Sequence, residues 1–295
     1  FLHSCASAMP KRKRPLPKAK TRKNATPAED PPTATASTSS SSSSSSSFSL
    51  APVTTSGQPS VVPTAVPTGG TGLAPRLPKT KAELHKGRRL IVFLDEAKLE
   101  AIKTSHGYAL LNCDEHRHLH KKFKRNPADS RPDICHQSLL TLLDSPLNKA
   151  GLLKIYIRTS KNVLIEVHPS LRIPRTIKRF SGLMVQLLHK LRIRSVDGPD
   201  TLLRVIKNPI EAHLPAGCRK YVTSCAGRLV NVHKFVKTFP SNEPVVVSFG
   251  QMSHGTIEHN AEYADECLSF SQYPLSAACA IGRLVNACEN HWGIL

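Results

Sequence analysis

The sequence predicts an α/β layered domain on a mostly parallel sheet, preceded by a long tail that builds no core. Three observations carry this reading. Short continuous apolar runs rich in strand formers recur along the chain, amphipathic helix patterns alternate with them, and the composition changes abruptly near residue 84.

Residues 1–83 hold Pro-, Thr- and Ala-rich stretches and an unbroken serine run from Ser39 to Ser47. Such a segment buries too little apolar surface to offset the entropy of ordering it, so disorder is expected there. Lys11, Arg12, Lys13 and Arg14, followed by Lys18, Lys20, Arg22 and Lys23, form a basic cluster. It reads either as a solvated charge run or as a signal for nuclear import. No basic flank precedes a sustained apolar stretch, so a cleaved signal peptide is not expected. The chain opens on Phe1, and Met9 just ahead of the cluster is an expected start.

The expected domain is 84–295. Leu90 to Leu94 is the first apolar run and reads as a buried parallel strand. A helix is expected from about Ile134 to Leu143, with Asp133 placed to cap it. Leu152 to Ile157 and Val163 to Val167 read as further buried strands of the same kind. Ile177, Phe180, Leu183, Met184, Leu187, Leu188 and Leu191 recur at steps of three and four, which puts them on one face of a helix. Val245 to Phe249 is a fourth strand, and a last helix is expected from Leu275 to about Glu289.

Charge points to the partner. The chain carries 41 basic and 21 acidic side chains, a formal net charge of +20; 11 and 3 of these fall in residues 1–83 and 30 and 18 in the remaining 212. The domain is therefore basic in its own right, which favours a polyanion such as nucleic acid. The apolar runs are far shorter than the ~20 residues of a membrane span. None of the eight cysteines stands in a CxxC pair, so reduced thiols are expected rather than a disulfide framework or a metal site.

Three segments carry more than folding requires. Arg172, Arg175 and Arg179 cluster where a Pro-containing loop enters the amphipathic helix, an arrangement suited to clamping phosphates or stacking on bases. Arg131 and Asp133 flank Pro132; the carboxylate reads as a helix cap, as a holder of the guanidinium beside a ligand, or as a proton acceptor. Upstream, His116, Arg117, His118, His120, Lys121, Lys122, Lys124 and Arg125 surround Phe123 and read as a flexible basic grip on RNA, while no second ligand cluster supports a metal there. Finally, Gly250 follows a buried strand and opens Gly250-Gln251-Met252-Ser253-His254-Gly255, with Phe270 to Ser276 ahead of the last helix. A glycine at the carboxyl end of a parallel strand lets backbone approach a ligand.

The segments Val163 to Val167, Arg172 to Thr176, Arg179 to Lys190, Val205 to Pro209 and Tyr273 to Ala277, taken in order, resemble the eukaryotic and archaeal pseudouridine-N1-specific methyltransferases of small-subunit rRNA. The resemblance runs from about Arg89 to Leu295. It implies a SPOUT-class trefoil-knotted domain, S-adenosylmethionine as methyl donor, a homodimer, small-subunit rRNA in pre-ribosomal particles as partner, and a place in the nucleus and nucleolus. By motif match, Thr223, Gly250, Gly255, Phe270, Ser271, Gln272, Tyr273, Pro274 and Leu275 would line the donor pocket. Arg131, Arg172, Arg175 and Arg179 would contact RNA, and Arg131 held by Asp133 would be the catalytic pair. Small and apolar Ala277, Ala278, Ala280 and Ile281 would suit helix contact in a dimer. The sequence departs from the family's pattern at His168 and Gln272, each standing in place of the usual Asn, and between Tyr221 and Gly227. A competing reading is an RNA-binding ribosome assembly factor in which methyl transfer is dispensable or absent.

Overall fold

The computed structural model describes residues 87–295 except 106, 197, 256 and 258–262. The serine run, the basic cluster and the expected boundary at residue 84 lie outside these residues.

The first apolar run becomes β1 (Arg89–Ala97), central in the sheet because its residues are apolar toward both faces. On one side it pairs in parallel with β4 (Leu153–Thr159), on the other with β9 (Pro244–Gly250). Beyond β9 lie β8 (Arg219–Leu229) and then β10 (Glu266–Ser269), both parallel. Beyond β4 the order continues with β5 (Leu164–Val167), β7 (Thr201–Ile206) and β6 (Arg192–Arg194). A separate hairpin, β2 (Ala101–Thr104) and β3 (Gly107–Leu110), completes the strands among the described residues.

One expectation is corrected here. Val163 to Val167 is a strand, but β5 runs antiparallel to β4, with Ile155 opposite Val167. The link from Thr159 to Val163 is a tight turn, closed by Thr159 N–H on the Val163 carbonyl, and parallel pairing needs a crossover of a dozen or more residues. β5, β7 and β6 therefore form an antiparallel extension of a five-stranded parallel sheet.

The helices are α1 (Arg117–Phe123), α2 (Pro132–Asp144), α3 (Pro146–Lys149), α4 (Ile177–Lys190), α5 (Val232–Val236) and α6 (Ala277–Trp292). Leu90, Val92 and Leu94 of β1 face the main core, where Leu139, Leu142, Phe180, Met184, Leu187, Ile281, Leu284 and Trp292 of α2, α4 and α6 close over the sheet. Ile91, Phe93, Tyr156 and Val246 face a smaller cluster under Ile210, Leu214 and Cys218. Helix ends differ from expectation in two places. Arg131 occupies the cap position of α2 with Pro132 in the first turn, so Asp133 is not the cap but stands inside that turn. α6 starts later than Leu275, because the Ser276 hydroxyl accepts the Cys279 amide at 3.3 Å and caps it.

The basic stretch around Phe123 is also corrected: it is the helix α1, not a flexible segment. His116 and His120 turn inward, His116 Nδ1 accepting the Asn112 amide at 3.2 Å and His120 Nδ1 donating to the His116 carbonyl at 2.8 Å. Cys113, Cys135, Cys218, Cys225, Cys279 and Cys288 are free thiols, and burial pushes the Cys135 and Cys288 thiols up to about 12. Among the described residues no helix is long and apolar enough to cross a membrane.

β8 escaped the sequence reading, and its course matters for the site. Val222 pairs with Cys267 of β10, and the next pair is Arg228 with Leu268, so Thr223 to Gly227 bulge out without partners in β10. Gly227 closes the bulge where a Cβ would lie 2.6 Å from the Leu268 carbonyl carbon.

Candidate active site

The carboxyl ends of β8, β9 and β10 lie side by side because the three strands are parallel, and the segments leaving them enclose a cavity of about 540 Å³. Four pieces of chain wall it: the bulge (Thr223, Ser224, Cys225), the loop after β9 (Gly250, Met252, Ser253, Gly255, Ile257), the loop after β10 (Ser269 to Ser271, Tyr273 to Ser276) and the start of α6 (Ala277, Ala278, Ala280). Arg131, Ile134 and Gln137 close the remaining side from α2. Thr223, Gly250, Gly255, Phe270, Ser271, Tyr273, Pro274, Leu275 and Arg131 are thus brought together, while Gln272 is not on the wall.

Each wall is fixed by its own bonds. Thr223 Oγ1 donates to the Ser248 carbonyl at 2.8 Å, so its hydroxyl is committed to the fold. Gln251 N–H donates to the Asp95 carbonyl at 2.7 Å. The Asp95 carboxylate, 1% exposed, is held by Arg158 through two bonds of 2.7 and 2.6 Å. The Asp95 backbone thus holds the start of the loop after β9 while its carboxylate pairs with the part-buried Arg158, a pair that no sequence pattern revealed. Gly255 has φ +94°, a conformation that other residues adopt only under strain. The Ser271 hydroxyl accepts the Tyr273 amide at 3.1 Å, and the Tyr273 ring stands 75% exposed at the cavity mouth.

Arg131 and Asp133 form a bidentate pair, Nε to Oδ1 at 2.8 Å and Nη2 to Oδ2 at 2.6 Å. Hydrogen bonding from Arg131, reinforced by the first-turn amides of α2, holds the Asp133 carboxyl below its ordinary value; the same pairing raises the guanidinium. The result is a guanidinium fixed in place on the cavity wall. Ser253 Oγ donates to the Ala128 carbonyl, which ties the loop after β9 to the turn Pro127–Asp129 just ahead of Arg131.

Arg172, Arg175 and Arg179 are exposed on the loop and first turn of α4, off the cavity wall. They are joined to it through α2. His136 Nε2 donates to the Pro174 carbonyl at 2.7 Å, and its ring stacks on Phe180 with centroids 4.5 Å apart. Arg175 is ion-paired with Asp144 at the far end of α2. On the last helix Ala277, Ala278 and Ala280 line the cavity, and Ile281 is buried in the core. Gln137 and Ile134 were missed; their spacing from Asp133 on one amphipathic helix was the available signal. Among the described residues no group of three or more His, Cys, Asp or Glu could hold a metal ion.

Residues 92–289 match the family model described as EMG1/NEP1 methyltransferase. The chain belongs to the EMG1/NEP1 methyltransferase family. Within it, the chain is 53% identical over 210 residues to the human ribosomal RNA small subunit methyltransferase NEP1, covering 71% of this chain and 84% of that protein. It is 53% identical over 212 residues to ribosomal RNA small subunit methyltransferase mra1 of Schizosaccharomyces pombe, covering 70% and 59%. The crystal structure of Archaeoglobus fulgidus Nep1 bound to S-adenosylhomocysteine superposes with a TM-score of 0.53 at 22% identity, covering 70% of this chain and 99% of that one. The family fold expected from the sequence is the one observed, and family membership makes the cavity at the strand ends the place to look for methyl transfer.

Proposed function

We propose that this chain transfers a methyl group from S-adenosylmethionine to N1 of a pseudouridine in small-subunit rRNA, working as a homodimer on pre-ribosomal particles in the nucleolus. The observation that carries the reading is the Arg131–Asp133 pair set against a glycine-walled cavity at the ends of parallel strands. Its relatives named as small-subunit rRNA methyltransferases, and the S-adenosylhomocysteine in the archaeal Nep1, support it.

The residues fit such a donor. The cavity lies in the usual range for small-molecule sites. Phe249, Ile257, Leu268, Phe270 and Leu275 offer apolar walls for an adenine ring, and Gly250 and Gly255 leave backbone open to it. When bound, the donor supplies an electrophilic methyl group. N1 of pseudouridine is a ring N–H and attacks only as its proton leaves, so negative charge develops on the base. Arg131 stabilises that charge from a preset position. Asp133 acts by positioning: both its oxygens are engaged by Arg131, and its lowered pKa makes it a weak base. The proton therefore passes to solvent. Arg172, Arg175 and Arg179 grip nucleotides around an extruded base, as suits readout of an RNA loop.

The decisive experiment is transfer from labelled donor to an rRNA hairpin carrying either pseudouridine or uridine at one position. Label on pseudouridine alone is expected; label on the uridine hairpin alone refutes the substrate. A second variant separates the enzyme from an assembly factor that only binds RNA. A Cβ at Gly250 would touch Ile257 Cγ2 at 3.4 Å and Met252 Cε at 3.6 Å, so alanine nearly fits and leucine does not. Gly250→Leu should cut methyl transfer roughly hundredfold through misplacement of the donor while hairpin affinity holds. Normal transfer by this variant would remove Gly250 from the donor pocket.

A further inference from the structure

We propose that the outer face of α1 is a second RNA-binding surface, which takes the single strand flanking the target nucleotide and stacks one of its bases on Phe123. The inference rests on the rRNA substrate proposed above and extends it to a part of the molecule that the donor cavity and the arginines of α4 do not include.

His120 of α1 and His116 at its cap are buried beneath the helix, which leaves the opposite face to solvent. That face carries Arg117, Lys121 and Lys122, and Lys124 follows in the left-handed conformation that ends the helix. None of these four makes an ion pair among the described residues; Arg125, by contrast, is taken by Glu100 at 3.0 Å. Asp114 and Glu115 precede the helix at the end away from Phe123, and Asp129 lies beyond it on the following turn. Phe123 is 63% exposed, with Lys122 Nζ 5.7 Å from its ring centroid.

A single exposed aromatic is unremarkable on a protein surface. Its neighbours decide the partner. Lysine is depleted from protein–protein interfaces, whereas an aromatic platform among cations is what single-stranded nucleic acid requires. The position agrees. Ala128, five residues beyond Phe123, accepts the hydrogen bond from Ser253 in the cavity wall, so Phe123 lies within about 17 Å of Ala128. A strand leaving the cavity on that side reaches α1 within a few nucleotides.

The test measures affinity of the full chain for the target hairpin with single-stranded flanks and for the same hairpin trimmed of them. Phe123→Ala should weaken binding of the flanked RNA about tenfold and leave the trimmed hairpin unchanged, while Phe123→Trp keeps the native affinity. Replacing Lys121 and Lys122 together by Gln should lower the salt slope of flanked-RNA binding by about 1.4. Affinity for S-adenosylhomocysteine should match the native chain in all three. Native affinity and native salt slope for the flanked hairpin in the variants would overturn the inference. Loss of flank binding in variants of a chain that methylates no pseudouridine hairpin would sink the proposed function and leave this surface standing.

Discussion

Arg131→Ala is expected to lower methyl transfer to the pseudouridine hairpin by roughly 10²–10³, the usual loss when a preset electrostatic donor is removed from a reacting centre. S-adenosylhomocysteine affinity should be unchanged, because Arg131 closes the side of the cavity formed by α2, whereas the glycine and apolar walls come from the strands and their loops. The effect should appear in kcat more than in KM for RNA, since three other arginines remain to hold the substrate. Asp133→Ala should fall nearly as far by releasing the guanidinium. The pH dependence follows from the pairing. The Asp133 carboxyl is held below its ordinary value, so its contribution is present above that value and is lost only as pH falls through the depressed one. Between about pH 5 and 7 no acid limb of the rate profile should come from Asp133. Native turnover in either variant would remove the pair from the mechanism.

Gly227→Ala is expected to destabilise the fold by about 3 kcal/mol, at the upper end of overpacking costs. A methyl group there would lie 2.6 Å from the carbonyl carbon and 2.7 Å from the amide nitrogen of Leu268, and backbone held in a sheet cannot step aside as a flexible side chain can. Strand β10 must shift, and the bulge from Thr223 to Gly227 must shift with it. Thermal unfolding should show the loss, and donor-product binding should weaken beyond what global stability explains. Gly182→Ala is the control: a Cβ there meets nothing within 4 Å and the position is helical, so it should be tolerated. Equal unfolding midpoints for Gly227→Ala and the native chain would show that the two strands have room to part.

The legible parts of this molecule were those whose pattern repeats. Four apolar runs marked β1, β4, β5 and β9, steps of three and four marked α4, and α2 and α6 were expected close to their observed spans. β8 was illegible because Thr, Ser, Cys, Ala and Gly follow one another through its bulge, and its burial alternates with neither a sheet nor a helix period. The direction of β5 was hidden as well: an apolar run is silent about its partner, and the short turn from Thr159 to Val163 settles it. At the site, Gly250 announced itself by position at a strand end, and Phe270 to Ser276 by standing just ahead of the last helix. The Asp95–Arg158 pair did not, since 63 residues separate its members and nothing local links them. Resemblance supplied the roles of the arginines, and the coordinates added what it could not: Arg131 stands on the cavity wall, Arg175 is engaged by Asp144, and Thr223 spends its hydroxyl on Ser248.

The imidazole of His136 fastens the arginine-bearing loop to the same helix that begins at Arg131. That helix advances about 1.5 Å per residue and does not stretch, so under the proposed function it would work as a ruler between the hand that holds a ribonucleotide strand and the point where one of its letters is altered. A strand with one nucleotide too many between those marks would then offer the wrong letter, and choice of target would become in part a measurement of length.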